Sequence, residues 1–163
     1  MPIILALIIN QIRSERYKRI LQTVTYLPHF ISTVVVVGMI VIFLSPRAGI
    51  YGALMRLLGE EPVNIVGKKE YFRWIYVFSD IWQHTGWNSI IYLAALSSID
   101  PTLYEASVID GANKWQQIWH IDIPSLVPTM VILLILSAGG ILGVGFEKVY
   151  LMQNSTNIAV SEV

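Results

Sequence analysis

The sequence predicts an all-α protein: a polytopic bundle of membrane-spanning helices with a helix-turn-helix loop between two of them. The chain of 163 residues is 55% hydrophobic and only 13% charged, whereas a soluble domain has about 25% charged residues. Long apolar runs recur along the chain, and a polar stretch of helical period separates the last two. Eleven basic residues balance eleven acidic ones, which excludes a basic surface for nucleic acid.

The apolar runs predict one partial and three complete membrane spans. A bilayer core takes about 20 residues of helix. Residues 1–12 are too short to cross it, lack the features of a signal peptide, and are expected to end a spanning helix that starts earlier. The other predicted segments are spans at about 26–44, 74–99 and 125–145, an external loop at 45–73 and a polar loop at 100–124. Both ends look cut, so we expect a fragment of a longer protein.

The external loop contains a predicted amphipathic helix. Ile50, Leu54, Leu57 and Leu58 fall on one face, and Gly59 marks the end of the pattern. We expect this helix to lie at the membrane surface, where it either packs against the other helices or docks an external partner.

A polar stripe interrupts the second complete span. Asp80, His84 and Asn88 recur at one-turn spacing and share one helix face. A charged group at the bilayer centre costs roughly 2.5–3.5 kcal/mol on insertion scales, so such residues face protein or water. The stripe therefore either lines a pathway or forms hydrogen bonds between helices. Asp80 and His84 supply only two ligands and no HExxH motif occurs, so no metal site is expected.

The third complete span ends in small residues. Gly139 and Gly143 form a GxxxG pattern, which lets another helix approach closely. After it, Glu147 and Lys148 are expected to return the chain to water.

The polar loop at 100–124, hereafter the elbow, has the signals of two short helices. Asp100 and Pro101 suit the start of the first helix, and Gly111 suits a left-handed turn at its end. In the second helix the apolar positions share one face and the polar ones the other, and Pro124 is expected to end it. The apolar positions are Ala112, Trp115, Ile118 and Trp119; the polar ones are Lys114, Gln116, Gln117 and His120.

The elbow resembles the EAA loop of permease subunits in ATP-binding-cassette (ABC) importers. That motif reads E-A-A, three residues, G, nine residues, I, one residue, L-P. This chain has Glu105-Ala106-Ser107, Gly111 and Ile121-Asp122-Ile123-Pro124 at the same spacing. Ser107 replaces the second alanine and Ile123 the leucine, and neither change removes a charge or the turn. Four other stretches are similar to the carbohydrate branch, particularly permeases for oligosaccharides and polysaccharides: Tyr26-Leu27-Pro28-His29-Phe30-Ile31-Ser32, Leu44-Ser45-Pro46, Ser79-Asp80-Ile81-Trp82, and Tyr92-Leu93-Ala94-Ala95-Leu96 through Ile99-Asp100-Pro101.

The resemblance implies a multi-pass subunit of the plasma membrane that forms part of a saccharide pathway and performs no chemistry. Its elbow would face the cytoplasm and lodge in a groove of an ABC ATPase subunit. ATP and Mg²⁺ would bind to that partner, because this sequence has no GxxxxGK[ST] phosphate loop. A second permease, an extracytoplasmic solute-binding protein and the lipid bilayer complete the implied partners. The expected coupling residues are Glu105, Ala106, Ser107, Asp110, Gly111, Ala112, Trp115, Ile121 and Pro124.

Two other functions are compatible with the residues alone. A membrane adaptor would use the elbow to bind a partner without any solute pathway. A membrane-embedded enzyme would use Asp80 and His84, but the spans offer almost no further acid or base. With no cysteine in the chain, a thiol nucleophile, a disulfide framework and a thiolate metal site are excluded. Counting basic residues does not decide the orientation, so the cytoplasmic elbow rests on the resemblance.

Overall fold

The regular secondary structure is all helical in the residues that the structure, a computed structural model, describes: 1–140 and 146–153. No β-strand occurs among these residues, and the predicted all-α class is confirmed. In chain order the helices are α1 (Pro2–Gln11), α2 (Glu15–Tyr26), a 3-10 turn (Leu27–Phe30), α3 (Thr33–Phe43), α4 (Ile50–Leu57), α5 (Lys69–Ser97), α6 (Pro101–Ile109), α7 (Lys114–Gln117), a π turn (Ile118–Asp122), α8 (Ile123–Gly140) and α9 (Phe146–Met152).

Within the described residues, one continuous helix is long and apolar enough to cross a membrane. It runs from Lys114 to Gly139, through α7, the π turn and α8. The segments Glu15–Phe30 and Thr33–Phe43 meet the same criterion only when they are taken together as one broken span. The predicted span at 74–99 falls almost entirely within α5, which is 29 residues long.

The predicted span at 26–44 is not one continuous helix. Ser32 interrupts it and caps α3, because its Oγ accepts a hydrogen bond from the backbone N–H of Val35 at 3.4 Å. The carbonyl of Ile31, at the break, accepts a hydrogen bond from Gln83 Nε2 at 2.9 Å. A buried side-chain amide thus satisfies a carbonyl at the break. The apolar run hides this break in the sequence, because one small serine barely lowers its hydropathy.

The described chain divides into two compact units, of which the first comprises residues 1–29 and 84–140. Its apolar core joins α1, the second half of α5 and the start of α8. Ala6, Ile9 and Leu126 are fully buried there, and Leu93 and Leu96 are nearly so. The elbow follows α5 and leads into α8, so both ends of the elbow are anchored in this core.

The second unit comprises residues 30–83 and 146–153 of the described chain. Its core is formed by Val37, Phe72 and Met152, from α3, the first half of α5 and α9. The predicted amphipathic helix of the external loop is present as α4. Its apolar side chains are exposed within the described residues, Leu57 to 83%. A position at the membrane surface stays a prediction for this helix.

Candidate functional site

The first helix of the elbow starts as the sequence predicts. Asp100 is the N-cap of α6, and its carboxylate accepts a hydrogen bond from the backbone N–H of Thr102 at 2.9 Å. This bond lowers the pKa of Asp100, because it favours the charged carboxylate. Pro101 takes the first helical position, where no backbone N–H is needed. The direction in which α6 leaves the end of α5 is therefore set locally.

The turn after α6 has the hydrogen bonds of a Schellman motif. The N–H of Gly111 donates to the carbonyl of Val108 at 3.1 Å, and the N–H of Ala112 donates to that of Ser107 at 2.9 Å. Gly111 has a φ of 78°, in the left-handed region that other L-residues resist. The predicted role of Gly111 as the turn residue agrees with this geometry.

The second helix of the elbow starts with a capping box. Asn113 Oδ1 accepts from the backbone N–H of Gln116 at 3.0 Å, and Gln116 Oε1 accepts from the backbone N–H of Asn113 at 2.8 Å. The turn and the capping box together fix both ends of the connection between α6 and α7.

Side-chain hydrogen bonds also tie the two helices of the elbow to each other. Gln117 Nε2 donates to Ser107 Oγ at 2.9 Å, and that hydroxyl donates in turn to the carbonyl of Tyr104 at 2.7 Å. Lys114 Nζ donates to Gln117 Oε1 at 3.1 Å. The serine that departs from the EAA pattern thus supplies a hydroxyl that an alanine lacks.

Burial in the second helix does not follow its polar and apolar faces. Gln117, on the polar face, is 2% exposed, whereas Trp115, on the apolar face, is 72% exposed. Gln117 is buried where it binds Ser107, while the other polar positions, Lys114, Gln116 and His120, are exposed. On the apolar face Trp115 and Trp119 are exposed, and Ala112 and Ile118 are half-buried.

The outer face of the elbow combines a carboxylate with apolar side chains. Glu105 is exposed, and its carboxylate has no hydrogen-bond or ion-pair partner within 1–140 and 146–153. Val108 and Ile109, on the same helix, are also exposed, Ile109 to 86%. Glu105 borders an open cavity of about 530 Å³ between the end of α1 and the elbow, lined also by Asn10, Gln11, Tyr104, Lys114 and Gln117. This face has the composition of a docking surface for a protein.

The structure places the nine predicted coupling residues along one continuous elbow. Glu105, Ala106, Asp110, Gly111, Trp115 and Pro124 are exposed, and Ser107, Ala112 and Ile121 are half-buried. The sequence prediction that Pro124 ends the second helix is wrong. The π turn before it is closed by a bond from Ile123 N–H to the carbonyl of Ile118, so the helix passes through Pro124 into α8. A wider turn accommodates a residue that has no N–H of its own.

Three residues at the base of this site have contacts that the sequence did not reveal: Asp122, Tyr104 and Gln11. Asp122 is completely buried and accepts a hydrogen bond from Tyr104 Oη at 2.5 Å and one from Gln11 Nε2 at 3.2 Å. Local pattern predicts no such contact, because α1 lies far from the elbow along the chain. The position of Asp122 between two isoleucines was the one available signal, since an acid among apolar residues needs a partner.

The three residues of the polar stripe all lie on α5, and each has different surroundings. Asp80 Oδ1 lies 3.5 Å from Lys148 Nζ. The His84 ring meets that of His29 at 75°, with 5.6 Å between the centroids. Asn88 is exposed. Asp80 and His84 thus make contacts between helices, while Asn88 presents its amide at the surface.

Lys148 corrects another expectation. It was placed at the return to water, but its side chain is 6% exposed and pairs with Asp80. Its Nζ also lies 5.5 Å from the centre of the Tyr76 ring. A buried ammonium group requires such a counter-charge, and the partner lies on a helix distant in sequence.

Two sequence expectations remain: that there is no metal site, and that Gly139 and Gly143 allow another helix to pack closely. In the part of the chain that the structure describes, no cluster of three His, Cys, Asp or Glu side chains can hold a metal ion. No described atom lies within 4 Å of the place that a Cβ would take at Gly139. Gly143 and the end of the predicted span at 125–145 lie outside the described residues. The helix-packing role of both glycines stays a prediction.

Comparison with known proteins identifies a family and near relatives. The family described as binding-protein-dependent transport system inner membrane component matches residues 2–147. The chain is 43% identical over 162 residues to the polygalacturonan/rhamnogalacturonan transport system permease protein YteP of Bacillus subtilis (strain 168), covering 99% of this chain and 50% of YteP.

Solved structures give the same relationship. The chain is similar to a bacterial ABC transporter involved in the import of the acidic polysaccharide alginate, with 45% identity and a TM-score of 0.94 over 99% of this chain and 57% of that one. The bacterial alginate ABC transporter in complex with an alginate pentasaccharide-bound periplasmic protein matches with the same identity and TM-score, over 99% of this chain and 56% of that one.

The chain spans about half the length of the curated relatives that it matches. The family match, by contrast, extends over nearly all of the chain and includes the whole elbow. This chain therefore belongs to the inner membrane components of binding-protein-dependent transport systems.

Proposed function

We propose that this chain is part of a permease subunit of an ABC importer for acidic oligo- or polysaccharides. The observation that carries the proposal is the elbow, a rigid pair of helices that turns an unpaired carboxylate and apolar side chains outward. The family supports transport, and the relatives named for polygalacturonan, rhamnogalacturonan and alginate support an acidic saccharide as the solute.

We infer that the elbow transmits movement of the ATPase subunits to the spanning helices. Its turn, capping box and Ser107–Gln117 hydrogen bond hold α6 and α7 in one geometry. Glu105 offers a charge-assisted hydrogen bond to a basic residue in a groove of an ABC ATPase subunit, and Ile109 and Trp115 offer apolar anchors. When ATP binding closes the ATPase dimer, the elbow moves and the spanning helices alternate between outward and inward openings.

The implied assembly has four kinds of component besides the solute. We infer a second permease subunit, two ABC ATPase subunits that hold ATP and Mg²⁺, an extracytoplasmic solute-binding protein and the plasma membrane around the permeases. The related alginate transporter, solved in complex with a saccharide-bound periplasmic protein, supports the solute-binding component. This chain itself would bind no cofactor and catalyse no reaction.

Uptake by a reconstituted transporter tests this proposal. The full-length permease is assembled in liposomes with its partner permease, ATPase subunits and binding protein, and supplied with labelled oligogalacturonate, alginate oligosaccharide or neutral maltotriose. We expect import of an acidic saccharide that requires ATP and does not occur with a non-hydrolysable ATP analogue. Binding of the ATPase without import of any of the three saccharides would instead favour a membrane adaptor.

A further inference from the structure

A buried carboxylate joins three helical segments at the base of the elbow. Asp122 is completely buried, and its two oxygens accept hydrogen bonds from different helices: Oδ1 from Tyr104 of α6 and Oδ2 from Gln11 of α1. Asp122 is the last residue of the π turn and leads directly into α8. One side chain therefore links the elbow to the helix before it in the core and to the helix after it.

Tyr104 and Gln11 both keep the hydrogen that they donate to Asp122. Burial and the hydrogen bond to Asp122 raise the pKa of the Tyr104 hydroxyl, so it remains a donor at every physiological pH. A carboxylate is costly to bury, and a neutral apolar side chain of similar size would fill the same space without that cost. The two hydrogen bonds of Asp122 fix the relative orientation of the helices, which apolar packing alone does not.

The π turn is what brings this carboxylate to α6. In an uninterrupted α-helix, Gln117 and Asp122 would point about 140° apart, since each residue turns the helix by about 100°. The π turn carries one additional residue, which brings the two side chains to within about 40° of each other. Both are buried, and both bind α6: Gln117 at Ser107, and Asp122 at Tyr104, one turn earlier on the same face.

We propose that Asp122, Tyr104 and Gln11 form a transmission joint that makes α1 and α8 follow α6. This proposal rests on the proposed function, because it concerns how movement of the docked elbow reaches the membrane. The three are positioning residues that touch neither solute nor nucleotide. Without the joint, α6 keeps its docking face and its backbone connections, but it can tilt without carrying the two neighbouring helices.

Spin-label distances test the joint directly. Leu103 on α6 and Ile132 on α8 are both exposed and accept labels, and Tyr104→Phe removes only the hydroxyl. In the assembled full-length transporter with wild-type Tyr104, we expect a narrow distance distribution that stays narrow when ATP is added. In Tyr104→Phe we expect a broadened distribution that ATP shifts. A distribution in Tyr104→Phe that equals wild type with and without ATP would overturn the joint.

Activity measurements separate a coupling role from a structural one. We expect Tyr104→Phe to hydrolyse ATP while importing saccharide about tenfold more slowly, the size of effect expected for one lost bond to a charged group. Tyr104→Phe combined with Asp122→Leu removes the buried carboxylate and one of its two donors and leaves only the part-buried Gln11 amide without its acceptor, so it should regain part of the thermal stability but not import. Recovery of import together with stability in this double variant would mean a structural role only.

The controls distinguish failure of the joint from failure of the proposed function. Tyr17→Phe makes the same chemical change at an exposed position of α2 and should leave import and the distance distribution unchanged. Cysteine cross-linking at Glu105 reports docking of the elbow independently. If wild type does not dock, the proposed function fails; if it docks and Tyr104→Phe imports normally, only the joint fails.

Discussion

Replacing Gly111 by alanine tests whether the shape of the elbow matters for transport. The φ of 78° places this residue in the left-handed region, and no described atom lies within 4 Å of the place that the new Cβ would take. The effect is therefore backbone strain alone, about 1–2 kcal/mol for an L-residue. Alanine also restricts the unfolded chain, which offsets about 0.4–1 kcal/mol. We expect a net destabilisation of roughly 1 kcal/mol, concentrated at the turn between α6 and α7.

Gly59 provides a control with the same strain at another place. Its φ is 80°, and apart from its chain neighbours no described atom lies within 4 Å of a Cβ there, but it follows α4 in the predicted external loop. Gly59→Ala and Gly111→Ala should lower the apparent melting temperature of the purified transporter by similar amounts. Only Gly111→Ala should slow ATP-dependent import. We expect an effect of about fivefold, because a destabilisation of about 1 kcal/mol in the elbow changes an equilibrium by that factor.

Two further substitutions at Gly111 should reduce import to different degrees. Asparagine tolerates the left-handed region better than alanine, so Gly111→Asn should import more than Gly111→Ala. Proline fixes φ near −65° and removes the N–H that bonds to Val108, so Gly111→Pro should abolish import while the protein still inserts. Equal loss of import in Gly59→Ala and Gly111→Ala would refute the assignment of a special role to the elbow.

Three other substitutions have expected outcomes. Glu105→Lys should leave membrane insertion intact and uncouple ATP hydrolysis from import, measured side by side in liposomes; normal import would exclude a coupling role for this carboxylate. Asp80→Ala leaves Lys148 without its counter-charge, so the melting temperature should fall. Asp80→Asn combined with Lys148→Met should recover most of the lost melting temperature. Slower import at unchanged stability would instead indicate that Asp80 lines the solute pathway. Ser107→Ala restores the EAA pattern but removes the acceptor of Gln117 Nε2. The free energy of unfolding should fall by about 1 kcal/mol, measured by thermal unfolding. No change would show that this hydrogen bond contributes nothing.

The local geometry of the elbow could be predicted from the sequence because its causes are local. Asp100 and Pro101 start α6 through bonds within the next two residues, and Gly111 ends it through bonds to residues just before it. Such signals operate over a single helical turn, so a single sequence contains them. The same is true of α4, whose apolar spacing and terminal glycine lie within ten residues of each other.

The contacts that turn the elbow into a site could not be predicted in this way. Asp122 binds Gln11 and Tyr104 across long stretches of chain, and Lys148 finds Asp80 on another helix. The orientation of Asp122 depends on the π turn, which changes the side-chain direction without any composition signal of its own. In each case a buried polar group is satisfied by a tertiary partner, and helical period alone gives no information about that partner.

A disulfide cross-link between position 105 and an ABC ATPase subunit tests the central claim most directly. Glu105→Cys is introduced into the full-length permease with its other cysteines replaced, and the assembled transporter is oxidised with and without ATP. We predict a specific cross-link whose yield changes with ATP, whereas Leu57→Cys, also exposed but in the predicted external loop, forms none. A folded, assembled transporter in which position 105 cross-links no better than position 57 would contradict the assignment of the elbow as the coupling element.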